Sequence, residues 1–388
     1  MIAKLSPSLY QPAARRRPRT LAVATAVALA ICAGLGVPTS HADVGSVYVD
    51  ANNNVAAGDR SLYFNGTFTG TNNVGLGRWV MPNLTTGSFN VGTGSLALYA
   101  NTTGSRNVAT GFNALLSNTT GERNVATGLN ALNSNTTGDS NIASGTQALQ
   151  HNTTGGFNVA TGEQTLVLNT TGTNNVATGP FALLVNTVGN GNVASGRDAL
   201  RSNTEGDRNV AAGPFALQSN TTGNNNLATG YNALHDNTVG IRNVAAGRSA
   251  LSANKTGDDN VAAGVGALLN ATGSRNVALG SRAGEDLTTG SDNIDIANSG
   301  RAGEAGTIRI GSPDEQTAAF VAGISSTTLG RAAQPVVVNS NGKLGVAGPA
   351  ARSASDASLA ATVTRLTAQL KRQQRQIERL RREMRGDG

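Results

Sequence analysis

Cysteine is all but absent from these 388 residues, and the single one, Cys32, lies inside an N-terminal apolar run. The rest of the chain can therefore form no disulfide and no thiolate metal site. Packing and hydrogen bonds must hold it together. Aromatic residues make up only 4%, too few to build the stacking platforms that bind unpaired bases. Charge is also sparse, at 14%, and its basic excess misleads. Five of the 30 basic residues lie in residues 1–42 and nine in residues 351–388; this leaves 16 for the body against 19 of the 23 acidic ones, a net charge of −3. A body without a basic face cannot displace counterions from phosphates, so no nucleic-acid partner is expected.

After residue 37 no apolar run is long enough to cross a membrane. The run before it has another reading. Arg15, Arg16, Arg17 and Arg19 precede the apolar stretch from Leu21 to Val37, and small residues lead on to Ala42. That order marks residues 1–42 as a secretory signal cleaved near Ala42, and implies a secreted or cell-surface protein. Bulky Ile31 directly before Cys32 argues against lipid attachment there.

What fills the body is a repeat. Asn90, Asn107, Asn124, Asn141, Asn158, Asn175, Asn192, Asn209, Asn226, Asn243 and Asn260 stand 17 residues apart; Asn73 extends the series backwards, and Asn276 and Asn293 extend it forwards after a one-residue deletion. The unit reads N-V-A-T-G-x-x-A-L-x-x-N-T-T-G-x-x, as in residues 107–123, with a degenerate earlier copy at residues 54–58. Val-Ala-Thr suits a three-residue strand. One glycine follows each strand (Gly111, Gly128) and another ends each Asn-Thr-Thr turn (Gly121, Gly138), where sharp corners with φ > 0 are expected. Leucine recurs at the ninth place from Leu98 to Leu268. One unit cannot bury its own leucine, but stacked units bury a continuous column. Stacked asparagines can likewise bond from coil to coil as ladders. The expected fold is mainly β: a parallel β-solenoid over residues 43–303, about 13 coils rising roughly 4.8 Å each. The Asn-x-Thr sequons, such as Asn101 and Asn118, read as turns of this repeat rather than glycosylation sites.

Catalytic chemistry is missing from this pattern. His151 and His235 sit at variable positions five repeats apart, over roughly 20 Å in stacked coils, so they cannot share a site. Acidic residues such as Glu122, Asp139, Asp207, Asp258 and Asp259 fall mostly in turns, and the glycine–aspartate nonapeptide of calcium-loaded rolls is lacking. No nucleophile, base and metal are gathered. The expectation is a non-enzyme with no cofactor and no metal.

Residues 304–346 leave the repeat. Gly306-Thr307-Ile308-Arg309-Ile310 and Gln334-Pro335-Val336-Val337-Val338 read as strands of a small β connector, with Asn339-Ser340-Asn341-Gly342 as a hairpin turn. Residues 347–358 read as a linker, with Ser353 or Ser355 capping the helix after it. Over residues 359–385 the period becomes 3.5. Val363, Leu370, Ile377 and Met384 take position a of a heptad, and Leu359, Leu366, Gln373 and Leu380 position d. These eight residues are the expected oligomerisation seam of an α-helical coiled coil. The basic residues around them, such as Arg365, Lys371, Arg372 and Arg375, fall outside it as a solvated face.

The N-V-A-T-G…A-L…N-T-T-G unit resembles the head repeats of YadA-like trimeric autotransporter adhesins. With residues 292–346 it is still more similar to the repeat-and-connector region of bacterial surface proteins and phage tail fibres that bear S74-type intramolecular chaperones. Gly306-Thr307-Ile308-Arg309-Ile310-Gly311, Val321-Ala322-Gly323-Ile324 and Asn339-Ser340-Asn341-Gly342-Lys343-Leu344-Gly345 carry the second likeness. The resemblance implies a left-handed parallel β-roll, usually a homotrimer, serving in adhesion or as a fibre. The partner would be the chain itself, with an unidentified host, cell-envelope or glycan ligand. Residues 348–358 lack the Ser-Lys pair of the self-cleaving chaperone, so no self-cleavage is expected, and no set of strands for a translocator barrel follows. The alternative is a monomeric solenoid that recognises an extended polysaccharide, ice or another repetitive surface on a flat Thr/Asn face. Its Thr rank is interrupted by Ser144, Ser195, Ala212, Ala246 and Ala263.

Overall fold

The computed structural model describes residues 47–62, 68–312, 315–321, 336–340, 342–346 and 349–386. The signal sequence, the proposed cleavage site and Val321–Ile324, apart from Val321 itself, lie outside the described residues. The chain divides between Gln316 and Thr317 into two units, each taken by itself below.

The first unit is a parallel β-solenoid. Three-residue strands recur from Val55–Ala57 to Ile308–Ile310 and pair in one sheet, each with the equivalent strand of the next coil. Pairing joins like to like: Val108 faces Val125, Ala109 faces Ala126 and Thr110 faces Thr127. At the N-terminal end Val47–Val49 runs antiparallel to Val55–Ala57 and covers an edge that would otherwise remain open.

In each strand the middle residue points inward and its neighbours outward. Ala109, Ala126, Ala143 and Ala160 are fully buried, as are Ala114, Ala131 and Ala148 of the A-L pair. Leu98 through Leu268 fill the interior as the expected column, all at 0% exposure. Met81 and Leu62 extend it towards the N-terminus. A leucine column flanked by two alanine columns lets the walls of the coil approach closely without voids.

Two asparagine ladders run beside this core, and both are fully buried. In the first, Asn107 Oδ1 accepts the Asn124 backbone N–H at 3.0 Å, while Asn107 Nδ2 donates to Gly121 O at 2.8 Å and so ties the start of its unit to the end. In the second, Asn118 Nδ2 donates to Asn101 Oδ1 at 2.8 Å and to the same Gly121 O at 3.0 Å. Both ladders converge on one glycine carbonyl per coil. Amides are strong donors and acceptors, and burying them costs little only because each is met in this way. The Asn-x-Thr turns of the clean repeats, such as those at Asn101 and Asn118, are thus built around buried asparagines, which excludes sugar attachment to these in the folded chain.

The two glycines serve different ends. Gly128 has φ +133°, and a Cβ there would lie 2.5 Å from Gly145 O of the next coil. Gly121 has no positive φ. It is glycine because a Cβ would lie 2.5 Å from both Asn118 Oδ1 and Gly138 O. The left-handed corners fall elsewhere as well, on larger residues: Arg106, Asn113 and Leu115, and their equivalents, hold φ of 47–64°. A left-handed leucine is uncommon. Here full burial and a bond from Leu115 N–H to Ala131 O at 3.0 Å fix it.

The C-terminal end departs from expectation in three places. The strand Ile308–Ile310, read as part of the connector, pairs in parallel with Ile294–Ile296 and is the last rung of the solenoid sheet. Irregular copies at both ends keep stacking, so the sheet holds more coils than the clean repeats suggest. The shortened unit at residues 260–275 drops its ladder asparagine, and Ala271 is buried in that place. The second ladder ends one coil earlier, where Asn254 Oδ1 accepts the Gly257 N–H at 3.1 Å.

In the second unit Val336–Val338 and Leu344–Val346 form the expected antiparallel hairpin. The helix runs from Pro349 to Gly386, so most of the expected linker is helical and Ser353 and Ser355 lie within the helix rather than at its cap. Proline is pre-organised for the first helical turn, and the alanines after it favour helix.

Candidate functional surface

The outward residues of the strands make the most regular surface of the solenoid. At the second place stand Val108, Val125, Ile142, Val159, Val176, Val193, Val210 and Leu227, aligned rung by rung. At the fourth stand Thr110, Thr127, Ser144, Thr161, Thr178, Ser195, Ala212 and Thr229. From Val55 to Ile310 neither rank holds a charged residue. Several members are well exposed, among them Ile142 at 44% and Val176 at 40%. Sheet spacing sets the ranks about 4.8 Å apart along the solenoid and roughly 7 Å apart across it. From Val108 to Thr229 this face is apolar on one side and, but for Ala212, hydroxyl-bearing on the other.

Charges gather beside it. The residue before each ladder asparagine is often arginine or aspartate, and these pair between coils. Arg242 Nε and Nη2 donate to Asp259 at 2.6 and 2.8 Å, and Arg275 donates to Asp292 at the same two distances. The guanidinium hydrogen bonds hold the carboxyls of Asp259 and Asp292 below their ordinary range. Both pairs are exposed, where such bridges contribute little to stability.

The eight seam residues lie on the helix, on the face that a three–four spacing generates. Leu359, Val363, Leu366, Leu370, Ile377 and Leu380 are 50–66% exposed, Met384 is 81% exposed, and Gln373 is exposed between them. A row of large apolar side chains left open to water is the usual mark of an interaction site.

Among the described residues no cluster of three or more His, Cys, Asp or Glu could hold a metal ion. His151 is exposed, and His235 Nδ1 lies 2.6 Å from Asp236 Oδ1, its neighbour in the chain. Among the described residues no helix is long and apolar enough to cross a membrane.

Comparison with protein-family models, with curated proteins and with solved structures finds no match to this chain.

The outward valine rank is the feature that sequence reading passed over. Val-Ala-Thr is legible as a strand and its Thr rank as an outward one, but a valine in a strand by itself suggests core. The signal is present: in every clean repeat the middle residue is alanine, and only a small residue fits between leucine column and wall. Asp295 was missed as well. Placed in phase, it stands where every unit before it carries alanine or glycine.

Proposed function

We propose that this chain is an exported, non-enzymatic structural protein, a fibre or adhesin-like head that assembles as a homotrimer and presents its solenoid wall for attachment. The observation that carries this reading is the combination of an uncharged strand face along the whole solenoid with an uncovered heptad seam on the helix. Both are surfaces that a monomer in water would leave exposed at a cost of about 25 cal/mol for each Å² of apolar area. Both are long and regular, as a copy of the same chain is. The wall offers ranks rather than a cleft, so its ligand would be extended or repetitive, of host, cell-envelope or glycan origin. The likeness to YadA-like heads and to the S74-associated repeat region supports three copies.

The unbroken run of exposed hydroxyls from Thr110 to Ser195 favours a second reading, a single-chain solenoid that grips an extended polysaccharide. One preparation separates the two. The protein is recovered from outside the producing cell, its N-terminus is sequenced, and its mass is measured by sedimentation equilibrium at micromolar concentration. A start near Asp43 and three times the chain mass are expected. A monomer overturns the trimer and promotes the polysaccharide reading, and a cytoplasmic product that begins at Met1 overturns export.

A further inference from the structure

Among the buried ionisable side chains described, one carboxyl is left without any hydrogen bond. Asp295 is 1% exposed, and neither of its oxygens has a partner. It stands in the inward column of the strands, in register with Ala278 on one side and Arg309 on the other. Two glycines make room for it. Gly284 holds the place that leucine holds in the clean repeats, Gly300 the place of an alanine, and their φ values are +64° and +73°. A Cβ on them would lie 3.4 and 3.1 Å from Asp295 Oδ2, and Leu287 packs against both.

The guanidinium that could neutralise it is engaged elsewhere. Arg309 Nε and Nη2 donate to Glu304 Oε1 and Oε2 at 2.8 and 2.6 Å. Glu304 and Arg309 are the charged groups that act on Asp295; Ala278 and the two glycines stand beside it. Burial, reinforced by the negative charge of Glu304 and opposed by Arg309, pushes Asp295 up to about 6. The same Arg309 holds Glu304 below its ordinary range, so Glu304 stays ionised while Asp295 titrates.

We propose that Asp295 is a proton-operated latch on the last coil of the solenoid, residues 296–311. Neutral, it stacks in the core column and holds the coil down; ionised, it is a buried charge without a partner and drives the coil off. Among the described residues Ile308–Ile310 pairs in the sheet on one side only, and a coil at the end of a stack opens at the least cost. The sign follows from a raised folded-state value. The stabilising contribution is complete below the ordinary value of 3.8 and is lost as pH rises through about 6. The coil is shut in acid and loosened near neutral pH. A gap of about two pKa units corresponds to a change of up to roughly 100-fold in the opening equilibrium.

Hydrogen exchange on the mature protein between pH 4.5 and 8, corrected for intrinsic rates, tests this. The amides of Ile294, Gly306 and Gly311 close the coil, donating to Thr307 O, Ser291 O and Ile296 O at 2.9, 3.0 and 2.8 Å. Their protection should fall by roughly 30-fold across this range and level off above about pH 6, while Val159–Thr161 in mid-solenoid stays unchanged. Asp295→Asn and Asp295→Ala should each abolish the fall and leave the coil protected throughout. Protection that is flat in the wild type, or a fall that persists in both variants, overturns the latch. A coil that is open at every pH in both variants also overturns it, since the carboxyl would then be needed as structure rather than as a switch.

Discussion

At the scale of single residues, the fold rests on columns in which every member does the same work. Leu166 is buried at 0% exposure, and its backbone N–H bonds Ala182 O at 3.0 Å. Leu166→Ala removes its side chain from a column already flanked by alanines, where collapse to fill the gap is blocked above and below. The expected loss is about 2–5 kcal/mol, read as a lower urea midpoint. Exposed Glu163, three residues away, offers the control: Glu163→Gln should shift stability by no more than about 0.5 kcal/mol. Equal midpoints for the two variants would contradict the stacked core. Gly128→Ala is a harsher test of a different cause. Its φ of +133° and the 2.5 Å approach to Gly145 O leave no room for a methyl group, so a loss of at least the roughly 1–3 kcal/mol of a strained residue is expected, whereas alanine is tolerated at the exposed fourth place, as Ala212 shows. The leucine column and the ladders were legible in the sequence because identity at a fixed period can mean only stacking. The left-handed leucines were not. Backbone handedness at a bulky residue is set by how the coil closes, through bonds such as Asn118 N–H to Leu115 O at 3.2 Å, and no local preference of leucine announces it. Gly121 was legible as a glycine position for the wrong reason, since space between Asn118 and Gly138 rather than φ demands it.

At the scale of the element, the unit is the coil, and phase is what specifies it. Removing residues 158–174 joins Phe157 to Asn175 and keeps both ladders, the leucine column and the strand ranks in register. The deletion should leave circular dichroism per residue unchanged and shorten the solenoid by about 4.8 Å in small-angle scattering. Removing residues 158–166 instead throws the columns out of register and should unfold the coils around the cut, since a repeat is stable only through its neighbours. If both deletions behave alike, stacking in phase is not what holds the coils. The chain itself carries exceptions, among them the 16-residue unit at residues 260–275, which loses the asparagine whose ladder stops there. The ends of elements were the least legible. Ile308–Ile310 lacks the repeat motif but still finds the edge of Ile294–Ile296, because an open strand edge takes any β-former at the right distance. The helix start at Pro349 was masked by a composition rich in Ala, Ser, Gly and Pro, which suits a linker and a first helical turn equally well.

At the scale of the whole molecule, the question is how many copies meet. Val363 and Ile377 at a with Leu359, Leu366 and Leu380 at d lean towards two strands by seam rules alone. Against this stand Leu370 and Met384 at a, a Gln373 layer, and flanking positions that are mostly Thr or Gln (Thr362, Thr367, Gln369, Gln374 and Gln376), with charges only at Arg381 and Glu383 in the last heptad. Uncharged flanks tolerate the deeper burial that three helices impose. The seam spans fewer than four heptads, short for a coiled coil by itself, so the proposed trimer would draw on the solenoid face as well. Two variants divide these contributions. Deleting residues 359–388 should lower the trimer's affinity while leaving the β-structure intact by circular dichroism. Val159→Lys with Val176→Lys places two charges on the bare strand face without touching the core, where both residues point outward. If the face is buried between copies, that pair strands unpaired charges in the interface and should dissociate the trimer further, at a cost of several kcal/mol. If the seam alone joins the copies, sedimentation equilibrium will return three chains for the lysine variant and one for the deletion. A lysine variant that dissociates while the deletion stays trimeric would assign assembly to the wall and leave the helix row free for another partner.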